Sequence, residues 1–444
     1  MGLQFAFDNA LNKLGPFESH PHLALAVSGG SDSIALAFLC QSWCARYQGQ
    51  MTCLIVDHGL RTGSTQEALN VQQQLKDHQI SCEILTWTGI KPKNRLQEQA
   101  RRARYTLLEE WCHQHHILNL LTGHHQDDQR ETYQLRQDKN SGSLGLSGMS
   151  ALIETPHVKI LRPLLHFSKM QLRTFLNRQH ISFVEDPSNI NPKFTRSVLR
   201  QHSLNDQDKA QIHQSCRQYG QARVQTEKQI NKLVSCWVSL YPEGYGTIDQ
   251  TGYQNMTEED QMSVLQRCLM TFGIGSYTPA CDSLKSLTQH LKQIPFVPQT
   301  LHGCIIFYHK KQIYITREPG QIKPVSLSHS SGTLWWDERF QIEFSNVKCG
   351  DILAPLGAQG WSQLKQKIEF KFRIKNLKTL PAFVRFGLPS LWRGGICLNL
   401  WLPDQNYVLM KINKDLYSEF TTEQVYDIHF SPRYPLTRFT FVIV

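Results

Sequence analysis

Several absences narrow the reading of this chain before anything present is considered. No apolar run approaches the ~18 residues of a membrane-spanning helix; candidates such as Leu23–Val27 and Ile34–Cys40 are short and bounded by polar residues. A basic start followed by an apolar segment is missing at the N-terminus, so no secretion signal is expected, and Ala6 stands where N-myristoylation needs Ser or Thr. Among 12 cysteines the closest pair is Cys40 and Cys44, and no Cys-x-x-Cys occurs. A structural zinc or a thioredoxin-like redox site therefore finds no template. Scattered reduced thiols in a cytosol, and a cytoplasmic location without membrane partners, are the expectation. There is no Gly-Lys dipeptide, which excludes the Walker-type loop, and no Gly-x-Gly-x-x-Gly dinucleotide fingerprint.

What is present points to a folded, basic, multidomain protein. A length of 444 residues suggests about three domains. A hydrophobic share of 40% is enough for real cores and rules out wholesale disorder. The 47 Lys and Arg exceed the 37 Asp and Glu, giving a net charge of +10. Such a balance suits a polyanionic partner such as nucleic acid, without fixing a function.

The first third alternates short apolar strands with helices: Leu23–Val27, a helix over Ile34–Tyr47, Thr52–Val56, a Gln-rich helix over Thr65–His78, Cys82–Trp87, a long helix over Arg95–His115, then Ile117–Leu121. Short, largely apolar strands separated by helices predict a parallel sheet covered on both faces, with ligands beyond the carboxyl ends of its strands. Polar connecting helices are expected over Leu204–Leu233 and a helical region over Thr257–Leu291. Strand-like Gly303–Tyr308 and Gln312–Thr316 flank His309-Lys310-Lys311 as a hairpin. A boundary is expected in Glu318–Thr333, which holds two Pro, two Gly and four Ser. Beyond it, strands are expected at Phe340–Phe344, Tyr407–Ile412 and Phe439–Val444, with a helix around Trp361–Phe372. The expected division is 1–205, 206–325 and 330–444.

Two motifs follow expected strands. In Ser28-Gly29-Gly30-Ser31-Asp32-Ser33 the glycines let the backbone turn tightly. Successive N–H groups and the helix start then offer partial positive charge to an anion. A Ser/Gly turn that merely caps a helix would look the same. The second motif is Gly123-His124-His125-Gln126-Asp127-Asp128-Gln129-Arg130-Glu131-Thr132. Asp128 and Glu131, three apart, share one helix face. A carboxylate pair there suits Mg²⁺ or a cationic amine, or simply an acidic first turn. Zinc on His124-His125 fits poorly, because no third ligand has suitable spacing.

Ser28–Ser33 matches the S-G-G-x-D-S signature of the N-type ATP pyrophosphatases, and the second motif resembles the H-H-x-D-D-Q-x-E-T string of the tRNA(Ile)-lysidine synthetases. Further similarities run in order: Val56-Asp57-His58-Gly59-Leu60-Arg61, Ala100–Tyr105, Gly145–Met149, Arg162–Leu165, Asp186–Asn189, Arg196, Leu199-Arg200, and Gly350–Gly357 near the C-terminus. The likeness is dense over residues 22–200 and thinner in the middle. Departures are Arg136–Gly142 where a Gly-rich loop is usual, Ser197 in place of Asn, and Leu364–Lys367 in place of a Lys-Lys-Leu/Phe pattern.

The resemblance implies an α/β, Rossmann-like parallel-sheet catalytic domain, a mainly helical middle domain and a small α+β C-terminal domain, the last two binding tRNA. It implies an ATP-dependent carbon–nitrogen ligase that joins free L-lysine to C2 of the wobble cytidine of an isoleucine tRNA with a CAU anticodon. The route would pass through an adenylated tRNA and change decoding from AUG to AUA. ATP and Mg²⁺ would be required. Implied catalytic residues are Asp32, Asp128 and Glu131, with Asp32 and Asp128 also toward Mg²⁺. ATP would be held by Ser28, Gly29, Gly30, Ser31, Asp32, Ser33, Asp57, His58, Arg104, Gly123 and His124. Arg101, Arg196 and Arg200 would meet tRNA. The basic cluster of Lys91, Lys93, Arg95, Arg101, Arg102 and Arg104 could track phosphates or be a solvated helix face. Trp335, Trp336, Trp361, Trp392 and Trp401 are expected mostly in cores. A homodimer is the further partner considered. The rival readings are another PP-loop tRNA-modifying enzyme, such as a thiolase, and a non-catalytic RNA-binding relative.

Overall fold

A computed structural model describes residues 2–60, 63–89, 91, 96–138, 142–155, 157–184, 206–273, 278–293, 296–366, 377–400, 426–432, 434–437 and 441–443. The chain divides into two compact units, Met1–Lys228 with Phe439–Val444, and Gln229–Arg438.

The first unit contains, in order, α1 (Leu3–Asn12), β1 (His22–Val27), α2 (Ser31–Arg46), β2 (Gln50–Asp57), α3 (Ser64–Asp77), β3 (Ser81–Thr86), α4 (Leu96–Gln114), β4 (Asn119–Thr122), α5 (Gln126–Asp138), α6 (Ser143–Leu146), β5 (Leu152–Glu154), β6 (Lys159–Leu161) and α7 (Lys169–Arg178). It also holds most of α8 (Asp206–Trp237), within which the division falls. The sheet order is β3-β2-β1-β4-β6-β5. All neighbours pair parallel except β5, an antiparallel edge on β6.

Alternation along the central strands sends side chains to two cores. Leu23, Leu25 and Val27 of β1 join Cys53 and Ile55 of β2 against α1, α2 and α7. Ala24 and Ala26 face the other way, where Leu54 and Leu120 meet Leu108, Trp111 and Cys112 of α4. Burial on both faces is why these strands read as continuous apolar runs rather than alternating ones. α2 is buried nearly all round, from Ile34 through Cys40 and again at Trp43, so it lacks a polar stripe.

The chain runs from β1 out to β2 and β3, then returns to lay β4 on the opposite side of β1. The sheet thus changes direction between β1 and β4, the position where open α/β sheets leave a crevice at their carboxyl ends. Both motifs emerge there. Residues Phe441–Val442 return to this unit: Val442 N donates to Ser150 Oγ at 3.0 Å and its carbonyl accepts Ala151 N at 2.9 Å. Of the expected strand Phe439–Val444, residues 439, 440 and 444 lie outside the described residues, and 441–443 are irregular rather than a strand.

The second unit begins with the last turns of α8, then β7 (Val238–Tyr241), β8 (Tyr245–Asp249), α9 (Gln250–Gln254), α10 (Glu258–Phe272), α11 (Cys281–His290), β9 (Gln299–Leu301), β10 (Cys304–His309) and β11 (Gln312–Arg317). Helices outweigh strands here, as expected, but the strands form one five-stranded antiparallel sheet, β7-β8-β11-β10-β9. Lys310 and Lys311, both at positive φ, make the two-residue turn of the β10–β11 hairpin. Val264, Leu265, Cys268 and Phe272 of α10 cover this sheet at Ile306, Ile313 and Ile315.

The remainder holds β12 (Val325–Ser326), β13 (Gly332–Trp336), β14 (Phe340–Phe344), β15 (Ile352–Pro355), α12 (Gly357–Gln366), α13 (Ala382–Phe386), β16 (Pro389–Arg393), β17 (Ile396–Leu400) and β18 (Tyr426–Phe430), arranged as β12-β15-β16-β17 and β13-β14-β18. Both small sheets are antiparallel. Trp336 and Trp361 are core residues, Trp392 is partly buried against the cluster that contains Trp361, and Trp335 is exposed. Trp401 and the expected strand Tyr407–Ile412 lie outside the described residues. No helix among the described residues is long and apolar enough to cross a membrane.

Candidate active site at the carboxyl ends of β1 and β4

Gly29 has a φ of +82°, a left-handed conformation that side chains rarely adopt. A Cβ there would also stand 2.6 Å from Val71 Cγ2, so only glycine fits. Gly30 caps α2 in extended conformation, with no side chain closing the helix start. First-turn N–H groups of α2 are left for an incoming acceptor. Ser33 holds the bend in shape: its hydroxyl accepts Ser28 N at 3.1 Å and donates to the Gly30 carbonyl at 3.0 Å. The Ser31 hydroxyl donates to Asp32 Oδ1 at 3.0 Å.

The second loop lies directly against the first. A Cβ on Gly123 would sit 3.2 Å from the carbonyl carbon and oxygen of Asp32 and from Ser33 Cα. His124 then turns back onto Thr122, Nδ1 to Oγ1 at 2.9 Å, while His125 turns inward among acids. His125 Nε2 stands 3.3 Å from Asp32 Oδ2 and 3.6 Å from Asp128 Oδ2. Asp128 Oδ2 also accepts His125 N at 3.0 Å. His125 is only 3% exposed. Burial disfavours its charge, yet the Asp32 hydrogen bond and the carboxylates of Asp128, Asp32 and Asp127 prevail and raise its pKa above the usual value. Burial pushes the Asp32 carboxyl up, but His125, Lys169 and the Ser31 hydroxyl hold it below the usual range.

α5 is fixed from three directions. Asp127 accepts Lys169 N at 2.9 Å and pairs with Arg130 at 2.9 Å, tying α5 to the start of α7. Gln129 makes a two-way bond with the Met149 backbone, Nε2 to O at 3.0 Å and N to Oε1 at 2.5 Å. Arg136 Nη1 donates to the carbonyls of Gly145 and Gly148. That is the structural use of the Gly145–Met149 motif. Glu131, buried one turn beyond Asp128, shares the same helix.

Asp57, His58 and Arg104 form a separate group near the end of β2. The Asp57 carboxylate accepts Thr65 Oγ1 at 2.6 Å, Ser64 Oγ at 2.8 Å and Gly59 N at 2.9 Å. These bonds, that of Thr65 foremost, keep its pKa low against the opposing effect of burial. His58 meets Trp87 edge-on with centroids 6.0 Å apart. Burial, with Arg104 and Lys91 adding repulsion, lowers its pKa despite Asp57. Lys91 lies over the Trp87 ring, 4.1 Å from its centroid. Arg101 and Arg102 are exposed, Arg101 lying over Tyr105. Arg196, Arg200 and Asp186–Asn189 lie outside the described residues.

The structure therefore gathers Ser28–Ser33, Gly123, His124, Asp128 and Glu131 on two adjacent loops and the helix that follows. His125, Asp127 and Lys169 join them without having been singled out as site residues by sequence. His125 was visible inside its motif, but nothing in the string says which histidine faces the acids. As for Mg²⁺, no group of three or more His, Cys, Asp or Glu among the described residues could hold a metal. Asp32 and Asp128, whose Oδ2 atoms both lie within 3.6 Å of His125 Nε2, are a donor set of the kind Mg²⁺ takes, since it commonly uses one or two carboxylates and fills its shell with water and phosphate oxygens.

Residues 3–229 match the PP-loop domain family model. The chain is 33% identical to the tRNA(Ile)-lysidine synthase of Orientia tsutsugamushi (strain Boryong), over 77% of this chain and 80% of that protein. With the tRNA(Ile)-lysidine synthase of Wolbachia pipientis wMel it shares 31% identity over 94% and 95%. Among solved structures, the U34-tRNA thiolase of Methanococcus maripaludis overlaps 50% of this chain and 79% of its own, with a TM-score of 0.41 and 14% identity. On the strength of its sequence relatives and the PP-loop match, this chain belongs to the tRNA(Ile)-lysidine synthase family.

Proposed function

We propose that this protein uses ATP to ligate free L-lysine to C2 of the wobble cytidine in an isoleucine tRNA with a CAU anticodon. The observation that carries the reading is the meeting of an amide-lined bend at Gly29–Ser33 with Asp32 and Asp128, both facing His125. In the first step the C2 carbonyl oxygen of cytidine attacks the α-phosphorus and pyrophosphate departs. Charge growing on the departing phosphates would be met by the N–H groups at the start of α2. Mg²⁺ held by Asp32 and Asp128 would neutralise the same phosphates. In the second step the lysine amine attacks C2, and AMP leaves with the former carbonyl oxygen.

A lysine ammonium cannot attack, so a carboxylate must accept its proton. Asp32, Asp128 and Glu131 are the proposed group from which that base comes. Gly123 and His124 would border the nucleotide beside the bend, and Asp57, His58 and Arg104 would flank it near the end of β2. Arg101, Arg196 and Arg200, with the regions 206–325 and 330–444, would hold the tRNA, in keeping with the basic charge of the chain.

The direct experiment incubates the protein with ATP, Mg²⁺, labelled lysine and total tRNA, then digests the tRNA to nucleosides. Label in a modified cytidine, with AMP and pyrophosphate released in step, is expected. Pyrophosphate release that needs sulfide instead of lysine would assign a thiolase.

A further inference from the structure

We propose that His125 is the positioning residue of the acid pair, its Nε2 set between the carboxylates of Asp32 and Asp128 so that both are kept toward one cation. The inference rests on the reading that these two acids meet the metal and the amine. Asp32 lies in the first turn of α2 and Asp128 in the first turn of α5. Like charges brought together from two helices would repel and swing apart unless a donor stood between them. His125 meets both acids: Nε2 lies 3.3 Å from Asp32 Oδ2, within hydrogen-bond reach, and 3.6 Å from Asp128 Oδ2 as an ion-pair contact, while Asp128 Oδ2 also accepts the His125 backbone N–H at 3.0 Å.

The ring cannot rotate freely. Its other nitrogen, Nδ1, accepts Asp127 N at 3.2 Å and stands 3.6 Å from Asp127 Oδ2. Asp127 is itself anchored by Lys169 N and Arg130. In the neutral ring Nδ1 accepts the Asp127 N–H, so the hydrogen sits on Nε2. In the charged ring both nitrogens carry hydrogens, and Nδ1 faces the Asp127 carboxylate. Either way Nε2–H points at the acid pair, so the role does not depend on how His125 titrates. Buried partners that orient metal ligands commonly contribute 10–100-fold to metal affinity.

The test measures Mn²⁺ binding by electron paramagnetic resonance in the presence of a non-hydrolysable ATP analogue, alongside the Mg²⁺ concentration needed for half-maximal lysine-dependent AMP formation. His125→Leu is expected to weaken Mn²⁺ at least about tenfold and to raise the Mg²⁺ requirement similarly. His125→Gln, whose amide reaches where Nε2 stands, is expected to recover most of that loss. Leu binding Mn²⁺ as the wild type does, or Gln doing no better than Leu, overturns the proposal. Should the Leu variant fail to fold by thermal melting, Gln is compared with Asn, which reaches only the Nδ1 position. Gln retaining the tighter site supports the proposal, and equal affinity overturns it. Asp32→Asn and Asp128→Asn are measured in the same series. If they weaken Mn²⁺ and His125→Leu does not, only the positioning role falls; if neither weakens it, the assignment of the acids falls with it.

Discussion

Gly123 lies so close to Asp32 that a Cβ on it would stand 3.2 Å from the Asp32 carbonyl carbon and oxygen. Backbone presses on backbone there, so an added methyl cannot be relieved by turning a side chain. Gly123→Ala must push the start of α2 away from the β4 loop. The expected outcome is a loss of about 1–3 kcal/mol in stability. A KM for ATP raised roughly tenfold, equivalent to about 1.4 kcal/mol, is expected with tRNA affinity unchanged. Urea unfolding and steady-state pyrophosphate release check the two halves separately.

Asp57 gives a prediction with a defined sign in pH. Its carboxylate is held by Thr65, Ser64 and Gly59, and its pKa is lowered by them. A lowered carboxylate favours the fold wherever it is ionised in both states, and that contribution disappears as pH falls through the folded value. Asp57→Asn should therefore cost on the order of 2 kcal/mol above about pH 5. The gap between wild type and variant should close below the usual carboxylate pKa of about 3.9. Denaturant melts of both proteins across pH would show the two curves converging on the acid side. Convergence on the alkaline side would contradict the assignment.

In the second unit, Asp337 is a single buried carboxylate shared by two buried arginines. Its Oδ2 accepts Arg339 Nε at 2.8 Å and Arg317 Nε at 3.2 Å. Arg317 also donates to the Gly303 carbonyl at 2.6 Å, so β11 and the β13–β14 hairpin are joined through one acid. Asp337→Ala leaves two uncompensated cations in the interior and is expected to cost about 3–5 kcal/mol. Hydrogen exchange should accelerate in β10, β11, β13 and β14 and remain unchanged in β1 and β4.

Much of the PP-loop unit can be read from sequence because its central strands are buried on both faces and hence appear as apolar runs. Leu23–Val27 and Ile117–Leu121 stood out for that reason, and the loops after them carried the motifs. The expected helix over Thr65–His78 falls within one residue of the observed Ser64–Asp77. Strands Val238–Tyr241 and Gln299–Leu301 leave no signal in the sequence, since three or four half-exposed residues at a sheet edge have no periodicity to detect. The site was legible as two motifs but not as one constellation. Which of His124 and His125 turns inward depends on Thr122 and Asp127, and Lys169 enters from a helix 42 residues beyond Asp127.

In the proposed reaction the bend after β1 and the acids Asp32 and Asp128 act together on ATP. The most direct measurement is lysine-dependent AMP formation by Asp32→Asn and Asp128→Asn, with tRNA binding followed in parallel by filter retention. Loss of AMP formation by at least about a thousandfold (some 4 kcal/mol of transition-state stabilisation) with tRNA affinity preserved is the predicted result; AMP formed at the wild-type rate by both variants would contradict it.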